Sequence, residues 1–237
     1  MQRLGAGLVA FLICVATAMP QARAQAPAAP PPVPDGPRYV VAYVEVMPTA
    51  KGEAVAIVRR FRDAVRKESG NLRAEILQRI GQPHQFVLLE AWKDQAAFDA
   101  HAQAPAAIEL GAKIKAIQNA PIDVRTHFPL SVGPVEAKAG GAAVAVVTHV
   151  DVIPPQRENG TTITKQLAED GRKDPGNLRF EAVTQVNRQN HFTVIELWRD
   201  QKAADAHSMA AHTRAYRDKL APASGALYDE RFYKVLD

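Results

Sequence analysis

The sequence predicts an α+β protein built from two ferredoxin-like repeats, each ordered β-α-β-β-α-β, that cover one another's open sheet faces within a single chain. Three observations predict it: a long internal repeat, apolar periodicities that recur in the same order in both copies, and a strand that is apolar on both sides.

The repeat comes first. Gly70-Asn71-Leu72-Arg73 recurs as Gly176-Asn177-Leu178-Arg179, an offset of 176 − 70 = 106. Carried forward without gaps, the offset aligns Glu75 with Glu181, Phe86 with Phe192, Glu90 with Glu196, Trp92 with Trp198 and His101 with His207. Over residues 70–101 it gives 14 identities in 32 positions, where average residue usage would give roughly two. A period this long is a duplicated domain, since solenoid units run to roughly 20–50 residues.

Each element then follows from its pattern. Tyr39–Met47 and Val144–Ile153 are rich in β-branched residues and are closed by Pro48 and Pro154, so both read as strands. Ala54, Val58, Phe61 and Val65 recur at spacings of four, three and four, one face of a helix over about 50–69; its counterpart is less regular, with Ile163 and Leu167 as the main apolar pair. Ser69-Gly70-Asn71 and Asp174-Pro175-Gly176-Asn177 supply turns, because Gly and Asn tolerate positive φ. Strands are expected over 72–80 and 85–92, helical sequence over 96–117 with a break near Pro105, and a last strand over 122–130. In Gln85–Trp92, Phe86, Leu88 and Trp92 alternate with Val87, Leu89 and Ala91, so both faces need cover. The economical arrangement presses the two open sheet faces together, with a cavity between sheets and helices. The alternative is two separate domains, each dimerising with another chain.

The remaining segments are punctuation. Arg3, the apolar run Leu4–Met19 and Ala22-Arg23-Ala24 read as a secretory signal over residues 1–24, which predicts a periplasmic or secreted protein with no membrane association once the leader is removed. A membrane anchor is the weaker reading, because the run is shorter than about 20 residues and Pro20 ends it. Residues 25–37 are a Pro-rich linker and residues 131–143 a Gly, Pro and Ala-rich one, leaving repeats over 38–130 and 144–237. Cys14 is the only cysteine and lies within the leader, where the bulky Ile13 before it argues against lipoprotein processing. A mature chain without thiols excludes disulfides, cysteine nucleophiles, iron–sulfur clusters and thiolate zinc sites. The formal charge is +4, and removing Arg3 and Arg23 leaves +2, too little and too scattered for a nucleic-acid or anionic-membrane footprint.

Glu196-Leu197-Trp198-Arg199-Asp200-Gln201, Ala204-Asp205-Ala206-His207, His212 and Tyr216 together resemble the E-x-W-x-(D/S)…A-x-x-A-H-x4-H-x3-Y stretch of the antibiotic biosynthesis monooxygenase family, which includes quinol monooxygenases. Gly176–Glu181 is similar to that family's G-x-x-x-Y/F-E strand start. The first copy matches at Glu90, Trp92, Asp94, Phe98 and His101 but has Ala106 and Leu110 where the second His and the Tyr would stand, so the complete motif is carried only by the second copy. The resemblance implies an intramolecular version of a dimeric α+β barrel, with further homo-oligomers an open question. It also implies oxygenation of small aromatic quinols or phenols by dioxygen, or haem degradation in one branch, with no flavin and often no metal. No G-x-G-x-x-G, P-loop, H-E-x-x-H or G-x-S-x-G pattern points elsewhere. A protein that binds hydrophobic small molecules without turnover would use the same cavity.

The candidate catalytic residues are His207, His212, Glu196 and His101. Histidine titrates near neutral pH and suits a base or a peroxide donor, although each ring could equally hydrogen-bond the scaffold. His212 follows His207 by five residues, roughly 500° of helix rotation, which leaves the rings about 140° apart and argues against a shared metal site. Glu90 and Glu196 share a strand face with apolar residues, where a carboxyl pKa rises; the rival is an ion pair with Arg73 or Arg179. Trp92, Trp198 and Tyr216 are candidates for walling an aromatic substrate, with packing as the alternative. Tyr43 and His149 hold equivalent first-strand positions whose face the sequence leaves open.

Overall fold

The computed structural model describes residues 35–133 and 141–236. The leader, most of the Pro-rich linker and residues 134–140 of the second linker lie outside the described residues.

The first copy runs β1 (Arg38–Val46), α1 (Lys51–Val65), β2 (Asn71–Arg79), β3 (Gln85–Trp92), α2 (Gln95–Ala102), α3 (Pro105–Ile117) and β4 (Gln118–Ser131). The second repeats it as β5 (Val144–Asp151), α4 (Arg157–Gly171), β6 (Asn177–Gln185), β7 (His191–Trp198), α5 (Gln201–Ser208), α6 (Ala211–Leu220) and β8 (Asp229–Leu236). Gly70 and Gly176 turn each chain at φ +82° and +87°. A Cβ at either place would also lie 2.6 or 2.7 Å from the methyl of Ala97 or Ala203, so glycine is required twice over.

All eight strands form one closed antiparallel barrel in the order β1-β3-β2-β8-β5-β7-β6-β4. The two sheets therefore meet along their edges as well as their faces. The β2 edge pairs with β8, Ile76 opposite Leu236, and the β4 edge pairs with β6, His127 opposite Gln185. Closure removes the unpaired strand edges that each half would otherwise expose. The inner faces make a single core, including Val41, Leu77, Val87, Leu89, Val147, Ile195, Leu197 and Tyr233. The outer faces pack against helices, Phe86, Leu88 and Trp92 under α1 and α3, and Phe192, Val194 and Trp198 under α4 and α6. Both sides of β3 are buried, as its two apolar sets require.

The irregular apolar pattern of α4 has a steric reason. A Cβ at Gly171 would lie 2.4 Å from the Phe180 ring and one at Gly160 3.0 Å from Phe192, so glycines let this helix settle onto large aromatic side chains.

Inside the barrel the copies exchange ion pairs. The Arg73 guanidinium donates to both Glu181 oxygens at 2.7 Å, and Arg179 donates to both Glu75 oxygens at 2.9 and 2.6 Å. The offset of 106 converts one pair into the other. These arginines are committed to Glu75 and Glu181, which removes the expected partnership with Glu90 or Glu196. Glu181 is 1% exposed, and removing one partner of such a pair strands the other charge at a cost of about 3–5 kcal/mol. Urea unfolding of Glu181→Ala is therefore expected to show a stability loss of about that size; a loss of only about 0–1 kcal/mol, as for a surface pair, would contradict the assignment.

Candidate functional site

At the end of β3, Asp94 caps α2 by accepting the Ala97 N–H at 2.8 Å, and Asp200 does the same for Ala203 at the start of α5. The short helix that follows carries His101, or His207, back over the tryptophan that ends the strand. Trp92 and His101 stack at 4.6 Å between centroids, and Trp198 and His207 at 4.8 Å. Each tryptophan N–H donates to the glutamate two residues before it, Trp92 to Glu90 at 2.9 Å and Trp198 to Glu196 at 2.7 Å.

Each histidine also meets an acid that the aligned window stopped short of. His101 Nδ1 lies 2.8 Å from Glu68 Oε2, and His207 Nδ1 lies 2.6 Å from Asp174 Oδ2. The two acids are one offset apart, at the turn just before Gly70 and Gly176; extending the repeat two residues upstream would have found them. The Glu68 contact orients the His101 ring with Nδ1 toward that acid and Nε2 turned the other way. That Nε2 sits 3.4 Å from Glu90 Oε2. Burial pushes the Glu90 carboxyl above the usual carboxylate range, against the pull of His101 and the Trp92 N–H. In the second copy burial pushes Glu196 up to about 8, and it lowers His207 against the pull of Asp174.

The copies differ in what lies in front of this cluster. In the first, a cavity of about 200 Å³ opens between sheet and helices, lined by Val40, Ala42 and Leu88 from the strands, Phe61 from α1, Phe98 and His101 from α2, Leu110 and Gly111 from α3, Ile122 and Val124 from β4, and the Glu90 carboxyl. In the second copy the equivalent positions carry Tyr216 for Leu110, Arg217 for Gly111, Tyr228 for Ile122 and Glu230 for Val124. Tyr216 is buried with its hydroxyl 3.5 Å from Thr164, and burial pushes the phenol up to about 12. Arg217 pairs with Glu230 at 3.1 Å and lies over the Tyr228 ring. Larger side chains thus occupy the place that is open in the first copy.

The other candidates fall as follows. Trp92, Glu90 and His101 come together in the first copy, and Trp198, Glu196, His207, His212 and Tyr216 in the second. Both tryptophans are fully buried beneath their histidines, in the outer apolar cores. Tyr43 and His149 point to the barrel interior, the face opposite the cavity, because Val40, Ala42 and Val44 take the helix side of β1 and strand side chains alternate. Tyr43 lies between Arg125 and Arg231, and His149 lies 3.3 Å from His191. The predicted divergence of His207 and His212 also fails: α5 ends at Ser208 and α6 begins at Ala211, so the helical rotation does not carry through, and the rings lie 5.4 Å apart. Of the cavity wall, sequence reasoning had singled out Glu90 and His101, and Phe98 through the resemblance; Phe61 appeared only as a helix-face residue.

A closed barrel of two ferredoxin-like halves, with a buried His–carboxylate–Trp cluster under the helices of each, defines a duplicated α+β barrel. The family model of the antibiotic biosynthesis monooxygenases matches residues 37–110 and 143–219, and the chain belongs to that family. It is 32% identical over 83 residues, 35% of this chain and 87% of the relative, to "Putative monooxygenase YcnE" of Bacillus subtilis. Among solved structures, a "Putative monooxygenase" of Fusobacterium nucleatum superposes with a TM-score of 0.77 at 18% identity, covering 85% of this chain and 93% of that one. One from Lactobacillus acidophilus gives 0.69 at 16% identity, covering 84% and 94%. Both share the fold across nearly their whole length, so the barrel of two copies recurs in them.

Glu90 generates a stability prediction. Its folded pKa lies above the unfolded carboxylate value of about 4.3, so between those two values the folded state holds the extra proton and stability falls as pH rises, by up to about 1.4 kcal/mol per pH unit, levelling off once the folded carboxyl also ionises. Glu90→Gln is expected to remove this slope in urea unfolding at a series of pH values above about 4.3; wild-type and variant curves that run parallel would contradict it.

Proposed function

We propose that the protein is an exported, cofactor-independent monooxygenase of small aromatic quinols or phenols, and that its reaction site is the first-copy cavity rather than the second-copy cluster that carries the fuller motif. The observation that carries this reading is the conjunction, in one space, of apolar walls, the His101 ring and the Glu90 carboxyl. An apolar cavity of about 150 Å³ takes up benzene, and drug-sized ligands need roughly 300–1,000 Å³. A space of about 200 Å³ suits one ring or a compact pair of rings.

The chemistry needs no outside reductant. A hydroquinone and dioxygen give a hydroxyquinone and water, with all four electrons supplied by the substrate. His101 Nε2, its ring oriented by Glu68, takes the phenolic proton. The resulting phenolate passes one electron to dioxygen, the two radicals combine at a ring carbon, and the new C–O bond carries a peroxide. Once Glu90 has protonated the peroxide, its carboxylate takes the ring C–H proton, the O–O bond breaks, and the departing hydroxide leaves as water with the proton held at His101. Glu90, 3.4 Å from that nitrogen and pushed by burial toward its protonated form, is placed to donate to the peroxide as charge develops. The apolar walls keep water from quenching the radical pair.

Oxygen uptake with a panel of hydroquinones tests this. His101→Gln is expected to lower the rate by on the order of 10²–10⁴, the usual contribution of a positioned base, with a small change in melting temperature. Leu110→Tyr, which puts in the cavity wall the side chain that the second copy carries there, is expected to abolish both uptake and binding of the ring. Binding without uptake above the autoxidation rate in the wild type would make the protein a carrier, and full activity in both variants would move the site elsewhere.

A further inference from the structure

We propose that Asp174, His207 and His212 form a binding site for one divalent transition-metal cation of the zinc type, in the second copy and separate from the first-copy cavity.

Three elements converge on this point. Asp174 sits in the turn after α4, His207 in the last turn of α5 and His212 in the first turn of α6. One carboxylate oxygen, Asp174 Oδ2, lies 2.6 Å from His207 Nδ1 and 3.1 Å from His212 Nε2, and one ligand atom from each residue falls within 4.8 Å of the other two. Ligands held tetrahedrally at about 2.0–2.1 Å from zinc are about 3.4 Å apart, so small side-chain rotations seat an ion among the three.

The hydrogen bonding leaves a specific deficit that an ion would relieve. His212 Nε2 is buried from solvent and makes no hydrogen bond, although the Asp174 oxygen is only 3.1 Å away. At that distance the failure is angular: the nitrogen aims beside the oxygen rather than at it. A metal between them takes the nitrogen lone pair and the carboxylate together. Behind the ligands, Glu196 Oε2 lies 3.9 Å from His207 Nε2, on the side of the ring away from Asp174, where an acid can orient a metal-bound imidazole.

The donor set decides the class of ion. Two imidazoles and one carboxylate suit zinc and its neighbours in the first transition row, whereas magnesium and calcium want oxygen ligands. The side chains of His212 and Asp174 are 25% and 19% exposed, so an ion can enter from solvent and keep water on its remaining positions. The first copy supplies an internal comparison. Its equivalent positions are Glu68, His101 and Ala106, so it has two of the three ligands and the expected stoichiometry is one ion per chain, not two.

The test is calorimetric titration of the chelator-treated full chain with zinc, alongside melting curves and the visible spectrum of the cobalt(II) form. One zinc per chain, a raised melting temperature, and cobalt bands of a four- or five-coordinate site are expected. His212→Ala and Asp174→Asn should each weaken binding by more than the roughly 10–100-fold that loss of a second-shell partner costs and should remove the thermal shift. Because His212 is partly exposed, its variant's own melting temperature without metal reports whether the fold is kept. Absence of zinc binding in the wild type, two ions per chain, or unchanged affinity in a folded His212→Ala would overturn the proposal.

Discussion

The whole arrangement depends on the fact that half of this molecule cannot stand in water. A four-stranded ferredoxin-like sheet has helices on one side only, which leaves a bare apolar face and two unpaired edges. Duplication within one chain meets both needs at once. The two inner faces become a single core around Leu89 and Ile195, and the edges pair as β2 with β8 and β4 with β6. The reciprocal Arg73–Glu181 and Arg179–Glu75 pairs then fix the relative position of the halves, because their bidentate geometry tolerates little displacement.

Closure also decides where chemistry can occur. With the inner faces packed against each other, the first-copy cavity lies between a sheet's outer face and its own helices. The cap at Asp94 and the break before Pro105 aim His101 into that space. The same devices recur in the second copy, where Tyr216, Arg217 and Tyr228 close in. The additional histidine, His212, appears in the second copy, where it lines a cavity of about 240 Å³ between α4 and α6.

Much of this was legible in the residues. The offset of 106 fixed the duplication, two-sided apolar strands demanded cover on both faces, and the order of elements followed from the periodicities at Ala54–Val65 and Gln85–Trp92. Edge-to-edge closure was not legible, because backbone pairing leaves no side-chain signature at Ile76 or His127. Side-chain volume was not legible either: Tyr216 stands in the second copy where Leu110 stands in the first, and the motif alone does not show that the larger side chain fills that wall. Emptiness is written in small or shortened side chains such as Gly111 and Leu110, which carry no functional signal on their own. Face assignment at Tyr43 and His149 required the barrel register, and the convergence of His207 and His212 required a helix break that, unlike the one at Pro105, has no proline to announce it.

A structure of the full chain with resorcinol bound would test the central claim most directly, since this ring resembles a hydroquinone but cannot pass to a quinone. The ring is expected among Phe61, Phe98 and Leu110, with one hydroxyl in hydrogen-bond contact with His101 or Glu90. A ring seated instead beside His212, or between the strands of the barrel, with the space in front of His101 left empty, would contradict it.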